Sequence, residues 1–171
     1  ACAPSYRANP DTLRRWAQNG VHVVQLGPSL IAAPFIGRFG IVYLQRNVEL
    51  EPAIVHDDSW LDRAYCQAVQ AISRGHPAIV SMHSINFHSA IKDYLSTSLN
   101  LLDALLGRLE MAFPDLLYAH DENVFDLATQ DQFSRCGKTI HVAAMRQSTF
   151  SPWASQWVSK KTRAVHDVYR S

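Results

Sequence analysis

The segment AIVSMHSINFHSAIKDYL, residues 78–95, decides the fold class. Ala78, Ile79 and Val80 form an apolar, β-branched run with no polar alternation, which predicts a strand buried on both faces. The surrounding PAIVSMH, residues 77–83, reads as that strand, and after Ser89 the pattern changes to helical. A buried strand, a short polar loop and a helix make a βα step, the unit of a parallel sheet.

The same alternation continues outward in both directions. In RANPDTLRRWAQNG, Asn9 is placed to cap a helix, Pro10 to open it and Gly20 to close it, with Leu13, Trp16 and Ala17 on one face. VHVVQL and IVYLQRN read as strands, separated by GPSLIAAPFIGRFG, a loop punctuated by Gly and Pro. VELEPAIV runs into HDDSW, where Asp57 or Asp58 can cap the helix WLDRAYCQAVQAISRG. Trp60, Leu61, Ala64, Ala68, Val69 and Ile72 give that helix an apolar stripe, and Cys66 is expected to fill the core beside it. The longest helix is expected over 90–112, its core face built from Tyr94, Leu95, Leu99, Leu102, Leu105, Leu106 and Leu109, and Pro114 ends it. DLLYAH predicts a further strand and DENVFDLA a further helix. Beyond Gln132 the sequence predicts one strand and a terminal helix, with Trp153 and Trp157 as packing residues. These elements predict an α/β fold with parallel strands and flanking helices.

With 171 residues, the chain is long enough for one domain with a substantial core. Its 47% hydrophobic and 18% charged residues place it with soluble globular proteins, and its longest apolar runs are too short to span a bilayer. A net charge of +1 gives no global field toward nucleic acid or membrane, so neither is expected as a partner. The charge is uneven, however: residues 134–171 carry seven of the sixteen Lys and Arg but one of the fifteen Asp and Glu. We therefore divide the chain into a main domain over 1–133 and a basic extension over 134–171, read as a solvated tail. Cys2, Cys66 and Cys136 are widely spaced, which argues against a disulfide framework and points to the cytoplasm.

In parallel α/β architectures, functional side chains gather beyond the carboxyl ends of the strands. Three such places carry polar groups: Tyr6 and Arg7 before the first helix, Gln45, Arg46 and Asn47 after a strand, and His83, Asn86 and His88 after another. These could converge on one pocket. A histidine at such a mouth can act as a general acid or base near neutral pH, or can simply satisfy a backbone carbonyl. His83 and His88 are not at helical i,i+4 spacing and have no adjacent third ligand, so no metal site is assigned to this chain. The pair Asp57 and Asp58 beside His56 is explained by helix capping. Asn86 can bond a sugar hydroxyl or an acyl oxygen, or serve only the loop. Arg7 and Arg46 can neutralise a carboxylate or phosphate, or form surface ion pairs.

Several blocks carry a family resemblance: APSYRANPDTLRRWAQNGVHVVQ, LQRNVELEP, GHPAIVSMHSINFHSAIKDYL and LDALLGRLEMAFPDLLYAHDENVFDLA. In order and spacing they resemble the C-terminal half of polysaccharide deacetylase-like proteins, the chitooligosaccharide deacetylase homology superfamily. The match runs from about Ala3 to about Ala128 and is closest to an uncharacterised branch. It implies the C-terminal portion of a distorted (β/α)7 barrel. It also implies hydrolysis of N-acetyl groups on a sugar or polysaccharide, with a divalent metal, usually zinc, activating water. His83 falls where the family places the acid that protonates the departing amine. Tyr6 and Arg7 loosely resemble its groove-lining segment, and Arg46, Asn86 and His88 are assigned with them to substrate binding. The family's Thr-x-Asp-Asp and His-x3-His motifs are absent, so the chain reads as a fragment lacking the metal ligands and inactive alone. Such a fragment is expected to self-associate through exposed barrel edges. The alternatives are a non-catalytic carbohydrate-binding or scaffold protein using Tyr6, Tyr43, Phe87 and Trp60 as stacking surfaces, and a nucleic-acid or membrane contact through the tail.

Overall fold

The computed structural model describes residues 1–2, 6–27, 34–54, 59–88, 93–130, 132–135 and 138–141. They form a mixed α/β structure with four helices and three small sheets, two of which contain parallel pairs. The described strands do not close into a barrel. No described helix is long and apolar enough to cross a membrane. The described residues fall into two compact units, the first drawn from those within 1–27, 34–45 and 117–141, the second from those within 46–116.

In the first unit, helix α1 (Pro10–Gln18) starts as its sequence dictates: the Asn9 side chain accepts from the Thr12 N–H at 2.8 Å and Pro10 occupies the first position. After the helix, Gly20 adopts φ +79°, a conformation that favours glycine. Strand β1 (Val23–Leu26) then pairs in parallel with β3 (Val42–Gln45), and the short β2 (Phe35–Ile36) pairs antiparallel with β3. Leu13, Trp16 and Ala17, the face read from the sequence, pack against the buried Val24, Ile41 and Tyr43. β2 lies where only a loop is expected, its Phe35 ring stacked on Tyr43 at 5.0 Å.

The second unit holds a βαβ step. Strand β4 (Val48–Glu49) is followed by helix α2 (Trp60–Ser73) and by strand β5 (Val80–Ser81), and β4 and β5 pair in parallel. Helix α3 (Tyr94–Ala112) packs on α2, and Val48, Leu50, Trp60, Ala64, Ala68, Ile72, Leu105 and Leu109 form the core. Two side chains fix the strands. Gln67 accepts the Glu49 N–H at 2.8 Å, and buried Asn47 bridges the Pro77 carbonyl and the Ile79 N–H at 2.9 and 2.8 Å. Asp57 and Asp58 lie outside the described residues. α2 has Ser59 at its N-cap, with no side-chain capping bond.

Several expectations are corrected. Cys66 is exposed, because the buried stripe of α2 runs through 60, 64, 68, 71 and 72. At 100° per residue, position 66 stands about 200° from 64, on the far side. Leu99 is 47% exposed, since the α3 core line passes through Ser98, Leu105 and Leu109. The strand expected over 77–83 contracts to β5, and 115–120 contains no strand. Instead Leu116 and Phe113 pack onto the second unit's core after Pro114 has ended the helix. Helix α4 (Asp121–Gln130) forms as read and belongs to the first unit, where its Phe125 stacks on His22 at 4.7 Å. Strands β6 (Gln132–Arg135) and β7 (Lys138–His141) make an antiparallel hairpin where one strand is expected. Cys136, Trp153 and Trp157 lie outside the described residues.

Candidate functional site

The parallel register of β4 and β5 places Glu49 opposite Ser81. Two residues further along each chain come Glu51 and His83, so the register carries both past the carboxyl ends of the strands together. The Leu50 N–H donates to the Ser81 carbonyl at 3.1 Å, extending the pairing to this point. The result is a carboxylate–imidazole pair with His83 Nδ1 2.7 Å from Glu51 Oε1.

The two partners differ in solvation. The Glu51 side chain is 10% exposed and the His83 side chain 55%. A buried carboxylate needs donors, and Glu51 has four. Oε1 accepts from His83 Nδ1 and, at a longer 3.4 Å, from Ser81 Oγ. Oε2 accepts from the His83 backbone N–H at 3.1 Å and from Asn86 Nδ2 at 2.6 Å. A carboxylate only accepts, so the hydrogen on Nδ1 belongs to the imidazole, and Nε2 is the nitrogen left to exchange a proton. Nε2 has no partner among the described residues.

A 3-10 turn over Ser84–Phe87 follows directly, and within it Asn86 is fully buried. Its Nδ2 also donates to the His83 carbonyl at 3.0 Å, while its Oδ1 accepts the Ala53 N–H at 2.9 Å. The assignment of Asn86 to substrate binding is therefore revised, because its amide groups are engaged inside the protein. Beyond the turn, His88 is exposed, as is Phe87. Arg46 is half-buried and stands two residues before β4.

His83, Asn86, His88 and Arg46 belong to the second unit, Tyr6 and Arg7 to the first. Tyr6 is half-buried with φ +57°, and its ring lies against Gly27, where an added Cβ would stand 3.1 Å from the ring. Arg7 is exposed. Of the four aromatic side chains considered as stacking surfaces, Tyr43 and Trp60 are buried and cannot present a face. Tyr43's hydroxyl is pushed above its ordinary range by burial, partly opposed by Arg38.

Among the described residues, no group of three or more His, Cys, Asp or Glu side chains could hold a metal ion. Nor does the Glu51 cluster fit zinc, since both carboxylate oxygens already receive N–H donors. The residue of this candidate site that the sequence reading misses is Glu51. A signal for it was present: VELE at 48–51 and VSMH at 80–83 are matched strand ends, each finishing on an ionisable residue. No family model, curated protein or solved structure matches the chain.

Proposed function

We propose that this protein acts in hydrolysis of N-acetyl groups on a sugar or polysaccharide, with His83 as the acid that protonates the departing amine. The single observation that supports this reading is the 2.7 Å Glu51–His83 pair at the ends of two parallel strands, with Nε2 turned away from the carboxylate. An amine leaves poorly as an anion. A protonated imidazole supplies the hydrogen from Nε2 as the C–N bond breaks, while Glu51 stabilises the charged ring and keeps its orientation. Glu51 itself does not give or take the proton in this scheme, because its oxygens are held by fixed donors.

The parallel βαβ step, taken with the resemblance of the sequence blocks to the deacetylase superfamily, supports reading the chain as the C-terminal portion of a distorted (β/α)7 barrel. Zinc and the base that activates water would come from residues outside the described set. The exposed thiol of Cys66 supports a reducing compartment, the cytoplasm. A second reading, a carbohydrate-binding protein without catalysis, is favoured by one observation: Phe87 is exposed at the end of the 3-10 turn that follows His83, as a ring that stacks on a sugar would be.

The test is acetate release from an N-acetylated chitooligosaccharide, with zinc present, by the product of the whole gene. His83→Ala is expected to lower kcat by about 100-fold or more, the range for losing a general acid. Equal turnover by the variant would remove His83 from the chemistry. Saccharide binding with no acetate release by the wild type would favour the second reading.

A further inference from the structure

We propose that Asn86 is a positioning residue, which holds the Glu51 carboxylate so that Oε1 faces His83 and the imidazole keeps its hydrogen on Nδ1. The proposal rests on the reading of His83 as a proton-transfer group. Its structural core can be tested without turnover.

The position demands an amide. Within 3.0 Å of the Asn86 side chain lie two acceptors, Glu51 Oε2 and the His83 carbonyl, and one donor, the Ala53 N–H. A primary amide offers two N–H groups and one carbonyl oxygen, so all three needs are met by one side chain. An aspartate would set oxygen against oxygen at the 2.6 Å contact with Glu51, and an apolar side chain would leave all three groups wanting.

The two sides of the site are joined through this amide. Ala53 lies two residues after Glu51, and Asn86 lies three residues after His83 on the 3-10 turn. Without the amide, Oε2 retains only the His83 N–H at 3.1 Å and the carboxylate gains freedom to rotate. Oε1, whose other contact is the long one from Ser81 Oγ, then has little to keep it on Nδ1. Asn86 thus acts on the imidazole through Glu51 and touches no reacting atom itself.

The experiment is long-range 1H–15N NMR of the His83 ring in the 171-residue chain, at a pH where the ring is neutral, comparing wild type with Asn86→Leu. The wild type is expected to show the Nδ1–H tautomer. In the folded variant, the Nε2–H population is expected to rise about tenfold, the scale of one lost charge-assisted hydrogen bond. A variant that melts earlier yet keeps the wild-type tautomer would overturn the proposal and leave Asn86 a structural residue only. If Asn86→Leu does not fold, the same ring spectrum is taken on Asn86→Ser, which also removes the amide. A raised Nε2–H population supports the proposal, and the wild-type tautomer overturns it. Failure to release acetate would refute the proposed reaction and leave these readouts standing.

Discussion

Replacing Glu51 with glutamine changes almost no volume but reverses half of the hydrogen-bonding capacity at the site. The carboxylate meets four donors: His83 Nδ1, Ser81 Oγ, the His83 N–H and Asn86 Nδ2. Glutamine brings one oxygen and one NH2, so one side must adapt. The backbone N–H of His83 and the Asn86 amide cannot become acceptors where they stand. The imidazole can, by moving its hydrogen to Nε2, and the Ser81 hydroxyl can rotate. Glu51→Gln should therefore point its NH2 at His83 Nδ1 and convert the neutral ring from Nδ1–H to Nε2–H. The stability change follows from the two short bonds, at 2.6 and 2.7 Å, passing from charge-assisted to neutral. Each loses about 1 kcal/mol, less on the His83 side, whose ring is half in solvent. Relief of the carboxylate's burial works in the other direction, so the net loss should be about 1 kcal/mol, or roughly 2–4 °C in Tm. The assay pairs thermal melting with imidazole 15N shifts. A folded Glu51→Gln protein whose neutral ring still carries its hydrogen on Nδ1 would refute the donor count from which this argument starts.

The core of the second unit gives a prediction independent of chemistry. Leu105 is fully buried among α2, α3 and β4 residues, so Leu105→Ala should cost about 2–5 kcal/mol, measured by urea denaturation. His76 gives a pH dependence. Its proton affinity is lowered below the usual 6.5, first by burial and then by Arg74, so the unfolded chain binds the proton more readily than the folded one. Its contribution to stability is complete above pH 6.5 and is lost as pH falls below that value, at up to about 1.4 kcal/mol per pH unit. His76→Leu should flatten the difference in unfolding free energy between pH 7.5 and 5.5, and an unchanged slope would show that other groups control it. At Gly37, an added Cβ would stand 2.3 Å from a Tyr43 ring carbon. Gly37→Ala should therefore lower stability by about 1–3 kcal/mol unless the ring moves, a loss read by thermal melting.

Local elements were legible wherever one short-range rule dominates. Asn9, Pro10 and Gly20 bracket α1 in the sequence and in the structure, because capping and φ preferences act within a few residues. The apolar run at 78–80 was legible as part of a parallel βαβ step, although only Val80 and Ser81 are assigned to the strand. What local pattern misjudged was side-chain direction. Cys66 and Leu99 occur in apolar helices but point away from the stripe that tertiary packing selects. DLLYAH has strand-like composition, yet Leu116 is used as a core residue after α3 and no strand partner is present among the described residues.

The candidate site was half legible for a related reason. His83 stands out locally, as an ionisable residue at the end of an apolar run. Glu51 lies 32 residues earlier, and only the register connects them: once Val48 pairs with Val80, Glu51 must arrive beside His83. Asn86 was visible as a polar loop residue, but whether such a residue faces a ligand or the protein depends on what its neighbours lack. Here they lack two donors and one acceptor, and the amide supplies all three. That accounting also narrows the chemistry. With both Glu51 oxygens and the Asn86 amide committed inward, Nε2 of His83 is the one ring atom of this cluster left to trade a proton, which suits an acid for a departing amine better than a carboxylate nucleophile.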